Sequence, residues 1–417
     1  MRLDIKDNDR WKRDSLSMRL GGGPHLRCSR GGCLMALRVL NVNDTLDLET
    51  GGGTAERTFQ MSRHLARQGA QCDVLTIASV QLEAQRIEAA MPATVVALPC
   101  FWRRFHVPWR GWKTIRRMVH DADVIHLMGH WSVLNALVYF AARQINKPYV
   151  ICPAGALPLF GRSKWLKRIY NLLVGNAIVS NASGWIAVTK SELPQFEDYG
   201  VHPSRVTVIS NGVSEEDFPL LDTNEFKRRH GLPDAPMILF MGRLNPIKGP
   251  DILLDAFILT REAFSNAHLI FAGPDGGMLS RLKLTAENKG VGEFVHFLGF
   301  VEGGDKVSAY RAATLLVVPS RQEAMSIVAI EAGFCGTPVL LTDQCGFSEI
   351  RLIDAGLEVP ATVAGIAAGL SNWLKNSDKT EEISLAWSNF VRRKYSWTSL
   401  VPEYIRLYKN IIESSQR

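Results

Sequence analysis

No apolar run in these 417 residues approaches the roughly 18 to 20 needed to cross a bilayer. The longest, around Ser132 to Ala142, is interrupted by Asn135 and followed by Arg143, which argues against a transmembrane helix. The first 34 residues lack the apolar centre of a secretory leader and instead carry eight Lys/Arg, four Asp/Glu and a Gly-Gly-Gly-Pro run. They are expected to be a disordered basic extension, with translation expected to begin at Met35, since Leu37 to Val42 reads as the first strand. Cysteine is scarce. The seven, at positions 28, 33, 72, 100, 152, 335 and 345, are odd in number and scattered, which disfavours a disulfide framework and predicts a reducing, cytoplasmic setting. Cys28 and Cys33 lack a second Cys or His pair at zinc spacing. The net charge of +7 falls to +3 without the surplus of four in the first 34 residues, so the total does not demand a nucleic-acid partner.

From Leu37 onward, short β-rich apolar runs alternate with segments of helical period, the pattern of an α/β protein built on parallel sheets. The length favours two domains. Strands are predicted near 38–41, 72–77, 95–98, 124–127, 149–152, 185–188 and 206–210, and again near 237–241, 268–272, 295–298, 315–318 and 338–342. Asn211-Gly212 and the acids of 215–222 interrupt both periods and predict a hinge. The expected organisation is a 1–34 extension, a 35–212 acceptor-binding domain, a 213–396 nucleotide-sugar-binding domain and a 397–417 helix. That helix, with Trp397, Tyr404, Leu407 and Ile411 on one face, is expected to cross back to the first domain.

The second domain opens with Ile238 to Met241, then Gly242-Arg243-Leu244-Asn245-Pro246-Ile247-Lys248-Gly249 and a helical pattern from Pro250. A strand-to-helix turn with a glycine and two cations suits a diphosphate, because Arg forks two oxygens, Lys adds a point charge and a helix start offers unpaired N–H groups. Taken alone, Arg243 and Lys248 read more readily as solvated loop charges, and it is the next motif that shifts the balance. A second turn, Pro319-Ser320-Arg321-Gln322-Glu323-Ala324-Met325-Ser326-Ile327, leads into a helix containing Glu331. On one helix, residues eight apart stand about 12 Å apart, awkward for the carboxyl pair of a glycosidase. Separate roles are therefore expected, one carboxylate holding sugar hydroxyls and the other a ribose.

With Gly51-Gly52-Gly53 before a helix, Ile209-Ser210-Asn211-Gly212-Val213, Phe271-Ala272-Gly273 and Phe297-Leu298-Gly299-Phe300, these turns make the chain resemble the retaining glycosyltransferases of family 4. These are also called group 1 glycosyltransferases and have the GT-B fold. The resemblance covers nearly everything after Met35. It implies two Rossmann-like, doubly wound parallel-sheet domains facing across a cleft that binds a nucleotide sugar. It implies that Arg243 and Lys248 neutralise the diphosphate, that Glu323 meets the transferred sugar and that Glu331 meets the ribose. Gly299, Phe300 and Val301 match the base-contacting backbone, and Gly52 and Gly53 the phosphate-contacting turn of the first domain. Gly242, Ala324, Met325, Ser326 and Ile327 complete the expected donor site. Retention of configuration, no essential metal and no cofactor are implied, with the cations and helix starts stabilising the leaving nucleoside diphosphate.

One departure stands out. After the strand at 149–152, where many relatives carry His or Arg, this chain reads Pro153-Ala154-Gly155-Ala156, and Ala154 offers no charge. His126 and His130 are candidates for a polar substitute in the cleft, though a strand-end His is as often structural, and no third ligand supports a metal.

On the acceptor side, 101–117 is free of acids and interleaves Trp102, Arg103, Arg104, Trp109, Arg110, Trp112, Lys113, Arg116 and Arg117. A second basic-aromatic cluster comprises Arg162, Lys164, Trp165, Lys167, Arg168 and Tyr170. Either an anionic membrane surface or an ordinary solvated face with core aromatics accounts for them. The membrane alternative predicts a lipid-linked saccharide acceptor in surface polysaccharide assembly and a peripheral place on the inner face of the cytoplasmic membrane. Nucleic acid is not expected, because no recognisable module accompanies the cations. A dehydrogenase is disfavoured because Glu56 breaks the last position of a G-x-G-x-x-G pattern begun by Gly51 and Gly53. A sugar-nucleotide epimerase and a catalytically silent nucleotide-sugar binder are the remaining alternatives, the latter because of Ala154.

Overall fold

Arg38–Val42 (β1) lies at the heart of a seven-stranded parallel sheet because its Val-Leu-Asn-Val run is buried on both faces, as a strand covered by helices on each side must be. The computed structural model describes residues 36–78, 88, 90–102, 106–159, 163–263, 266–347, 350 and 356–416. Around β1 the chain places Gln71–Ile77 (β2), Thr94–Leu98 (β3), Val124–Met128 (β6), Tyr149–Cys152 (β7), Gly184–Ala187 (β8) and Val206–Val208 (β9), in the order β3-β2-β1-β6-β7-β8-β9. Cys100–Trp102 (β4) and Val107–Pro108 (β5) form a small antiparallel hairpin. The second sheet contains Met237–Met241 (β10), His268–Ala272 (β11), Val295–Gly299 (β12), Leu315–Val318 (β13), Val339–Thr342 (β14) and Leu357–Val359 (β15). Its order is β12-β11-β10-β13-β14-β15, with every pair parallel.

The helices used below are Leu48–Arg67 (α1), Trp112–Asp121 (α2), Val133–Gln144 (α3), Lys164–Tyr170 (α4), Pro250–Leu259 (α5), Gly303–Ala312 (α6), Ile327–Phe334 (α7), Thr380–Lys394 (α8) and Trp397–Ser415 (α9). The expected α/β class with two doubly wound sheets is what the chain adopts. Sequence patterning did not give β4, β5 or β15, which are two or three residues long and too short to set up a period.

The helix α9 packs on the first sheet. Its buried face is Trp397, Leu400, Val401, Tyr404, Tyr408 and Ile411, so Tyr408 takes the place expected of Leu407, which is only partly buried. Arg57 of α1 is fully buried beneath it, donating to Asn211 Oδ1 at 2.6 Å, to the Ile209 carbonyl at 2.8 Å and to the Tyr404 hydroxyl. The two passages between the sheets run together, Val213 N–H donating to the Tyr395 carbonyl at 2.8 Å and Trp397 N–H to the Val213 carbonyl at 3.2 Å. Among the described residues no helix is long and apolar enough to cross a membrane.

Candidate active site

In each sheet the strand order reverses direction at one place, between β1 and β6 and between β10 and β13. Loops at the carboxyl ends of such neighbours diverge and leave a crevice, where ligands of open α/β sheets bind. The two predicted turns stand at the β10/β13 crevice. They are stitched together by the Arg321 N–H, which donates to the Ile247 carbonyl at 2.7 Å, and by the Arg321 guanidinium, which forks Asp251 at 2.7 and 2.8 Å.

Lys248 and Glu323 come together as an ion pair across these turns. The Glu323 carboxylate is 5% exposed, and its Oε1 also accepts from the Ser320 hydroxyl at 3.0 Å. Its Oε2 is buried without a hydrogen-bond partner. A carboxylate oxygen held in place with free lone pairs is a fixed hydrogen-bond acceptor. Glu323 precedes the helix; only Glu331 lies within α7. Its two oxygens accept from Lys306 Nζ at 2.6 Å and from the Tyr310 hydroxyl at 2.7 Å, both on α6. Ser326 stands at the start of α7 with its hydroxyl buried and unpartnered, beside a first turn whose N–H groups have no ladder partners.

Arg243 follows Gly242 at the end of β10, its stem against Gly276. The ends of β10, β11 and β12 approach so closely that a methyl group on Gly273 would lie 2.0 Å from the Gly242 carbonyl oxygen, so position 273 must be glycine. Gly273 N–H in turn donates to Gly299 at 2.6 Å, which places Gly299, half-exposed Phe300 and buried Val301 along the same sheet edge. From the first domain, α1 breaks its helical path at Gly52 (φ 54°, ψ −138°). Gly53 faces the start of α7, where an added methyl would come within 3.1 Å of Ile327 Cδ1. The glycine turn and the α7 start are thus opposite walls of one cleft.

Next to this cluster is a cavity of about 1030 Å³. Glu323, Ala324 and Met325 form one wall, while Trp131, Ala154, Lys167 and Glu192 belong to the other. Asn211 Nδ2 donates to the Met325 carbonyl at 3.3 Å and pins the two walls together. Arg243, Lys248 and Glu331 are not among the residues lining this cavity. Ala154 lines it with a left-handed backbone (φ 49°).

Neither histidine lines the cavity. His126 is fully buried under α9, its Nδ1 2.6 Å from the Tyr408 hydroxyl, and burial lowers its pKa to about 3. His130 packs edge-on against Trp131, Tyr170 and Tyr199 and lies 2.8 Å from Asn171 Oδ1. Burial lowers its pKa to about 4. Both rings are neutral near pH 7. Among the described residues no group of three or more His, Cys, Asp or Glu side chains is placed to hold a metal ion.

Sequence patterning overlooked Glu192. It follows β8 in Thr189-Lys190-Ser191-Glu192, and its signal was a lone acid at a strand end after a long stretch without one. Its Oε2 accepts from Val188 N–H at 2.8 Å, its Oε1 is buried without a partner, and burial raises its pKa to about 7. A carboxyl raised in the folded state binds more protons than in the unfolded chain between about pH 4.5 and 7, so it withdraws stability as pH rises through that window. Glu192→Gln is therefore expected to melt higher than wild type at pH 8, by roughly 2–3 kcal/mol, with the gap closing by pH 4.5. Thermal melts of both proteins across this range check it, and a gap independent of pH would contradict it.

The fold and this cleft together define a GT-B protein, with two Rossmann-like domains and a crevice at the second sheet's switch point facing a glycine turn. Residues 51–217 match the family model described as Glycosyltransferase Family 4, and residues 222–386 the model described as Glycosyl transferases group 1. The chain is 37% identical over 325 residues to D-inositol 3-phosphate glycosyltransferase 2 of Catenulispora acidiphila, covering 69% of this chain and 73% of that protein. It belongs to the group 1 glycosyltransferases. A D-inositol 3-phosphate glycosyltransferase of Acidothermus cellulolyticus is 32% identical over 256 residues, 58% of this chain, and the match spans 56% of that relative's length. Among solved structures, Anabaena Alr3699/HepE in complex with UDP superposes with a TM-score of 0.73 at 18% identity, covering 90% of this chain and all of that one.

Proposed function

We propose that this chain transfers a sugar from a nucleoside diphosphate sugar to a saccharide acceptor, with retention of anomeric configuration. The observation that carries the reading is the Lys248–Glu323 pair at the β10/β13 crevice, opposite the Gly52-Gly53 turn. The negative charge that develops on the departing diphosphate is stabilised by Arg243, Lys248 and the amide groups at the start of α7. Lys248 is held by Glu323 and the α7 amides by the helix itself before reaction, so these groups need little reorganisation when the glycosidic bond breaks. Glu323 orients hydroxyls of the transferred sugar through its oxygens, and Glu331 those of the ribose. Gly299, Phe300 and Val301 border the base. Neither a metal nor a cofactor has a part in this scheme. That Alr3699/HepE was crystallised with UDP supports a nucleoside diphosphate in the cleft.

The acceptor enters the cavity beside Glu323, and we read it as a lipid-linked saccharide under assembly into a surface polysaccharide at the inner face of the cytoplasmic membrane. Support comes from the β4–β5 hairpin and α2. Phe101, Trp102, Trp109 and Trp112 are exposed there alongside Arg110, Lys113, Arg116 and Arg117. Arg103, Arg104 and Arg162 lie outside the described residues.

The test is release of nucleoside diphosphate from UDP-, GDP- and ADP-sugars with soluble and lipid-linked acceptors. Release that depends on acceptor and on Lys248 supports a transferase and identifies its donor. Tight donor binding with no turnover under any acceptor would instead mean a silent binder.

A further inference from the structure

The helix α4 runs on through a wide π-helical turn, Asn171–Gly175, into a short helix, Asn176–Ser180. Along it, Trp165, Ile169, Leu172 and Leu173 follow a single helical face, and all four point to solvent, 63%, 45%, 83% and 74% exposed. Two adjacent leucines exposed to this degree, in line with a tryptophan, are not a stray surface residue but an unpartnered apolar stripe. Lys164 and Arg168 are exposed and flank this face. The charge contributed by this stretch of chain has one sign: between Asp123 and Glu192 the sequence contains no Asp or Glu at all. An apolar stripe with cations at its edge, in a stretch of chain without acids, complements an anionic lipid surface, where leucines enter the acyl boundary, tryptophan sits at headgroup level and cations meet phosphates.

The opposite face of the same helix leads to the cavity. Lys167 reaches inward with Nζ 5.0 Å from the Trp131 ring centroid, and both residues line the cavity wall facing Glu323. Tyr170 anchors this face, donating to the Ser132 carbonyl at 2.9 Å, and Asn171 ties the π-helical turn to His130 and Tyr199. The helix is thus held firmly from inside, while its outer face has nothing packed on it among the described residues.

We propose that α4 and the turn after it are a second membrane-docking element, in addition to the β4–β5 hairpin and α2. The Trp165–Ile169–Leu172–Leu173 face seats in an anionic bilayer, so that a lipid-linked acceptor passes its polar head past Lys167 into the cavity without leaving the bilayer surface. This rests on the transferase reading for what happens in the cavity, but the docking itself does not depend on turnover.

The experiment is co-sedimentation of the full chain with phosphatidylcholine vesicles and with phosphatidylcholine–phosphatidylglycerol vesicles at low and high salt. Nucleotide release from the donor is measured in the same preparations without vesicles. Wild type is expected to pellet with the anionic vesicles, less so at high salt. Leu172→Ser with Leu173→Ser is expected to reduce binding about tenfold. Its melting temperature and vesicle-free nucleotide release should match wild type, since both residues are exposed. Lys164→Gln with Arg168→Gln, a pair that removes no apolar surface, is expected to weaken the preference for anionic over neutral vesicles, with Arg110, Lys113, Arg116 and Arg117 supplying the remainder. Wild type remaining in the supernatant, or the leucine variant pelleting like wild type, overturns the proposal. So does a leucine variant that converts a vesicle-free dimer into a monomer, which would assign the stripe to a second copy of the chain. Pelleting with no nucleotide release from UDP-, GDP- or ADP-sugars under any soluble or lipid-linked acceptor sinks the transferase reading and leaves the docking intact; acceptor-dependent release without pelleting does the reverse.

Discussion

Glu323→Gln is expected to lower kcat for sugar transfer by about a hundred- to a thousandfold, the range seen when one preorganised charge or donor is removed from a reaction centre. The substitution keeps the shape of the side chain. It removes the charge that holds Lys248 in the turn and turns a fixed acceptor at the cavity wall into a group that is half donor. Folding should change little, since Lys248 remains 35% exposed and water can take over its solvation. Steady-state kinetics beside a thermal melt separate the two effects. An unaltered kcat with an unaltered melting temperature would remove Glu323 from the chemistry.

Glu331→Ala acts differently. Its carboxylate is 5% exposed and satisfies both Lys306 and the buried Tyr310 hydroxyl, so the substitution strands an ammonium and a phenol at once. Breaking a buried pair from one side costs about 3–5 kcal/mol. Because Lys306 keeps 28% of its side chain exposed, the lower end is expected, about 3 kcal/mol, or a melting temperature lower by roughly four degrees in a chain of this length. The KM for donor should also rise. The double variant Glu331→Leu with Lys306→Met removes the stranded ammonium and should recover much of the stability without recovering donor affinity. If donor affinity recovered with stability, Glu331 would be only a brace for α6.

The α/β class and both parallel sheets were legible because β1, β6, β7, β10, β11 and β13 are apolar runs separated by helical periods, and each had to be buried on both faces. Lys248 and Glu323 could be assigned to one cleft in advance only through the resemblance, and their ion pair was not foreseen. Their contact arises from β10 and β13 lying side by side, a topological fact that no local spacing encodes. The same limit hid the Arg57 clamp, whose partners are more than 150 positions away in sequence. Glu192 was invisible because a single carboxyl carries no period, and its raised pKa comes from burial by other segments. His126 and His130 look alike in sequence at a strand end. Only the packing of α9 and of the aromatic group around Asn171 decides that both are enclosed.

The paired passages at Val213 and at Tyr395–Trp397 have a mechanical consequence. A body tied to another by two adjoining straps on one side retains mainly a single swing about the line the straps define, and sliding would tear the hydrogen bonds between them. With α9 clamped to the first sheet through Arg57 and Tyr404, both straps have fixed anchor points on that side. A donor held between the Gly52-Gly53 turn and the start of α7 would act like a latch on a door, its grip determining how long the leaves stay shut. Cutting the chain after Tyr395 would leave one strap, and the second leaf would then be free to twist as well as swing.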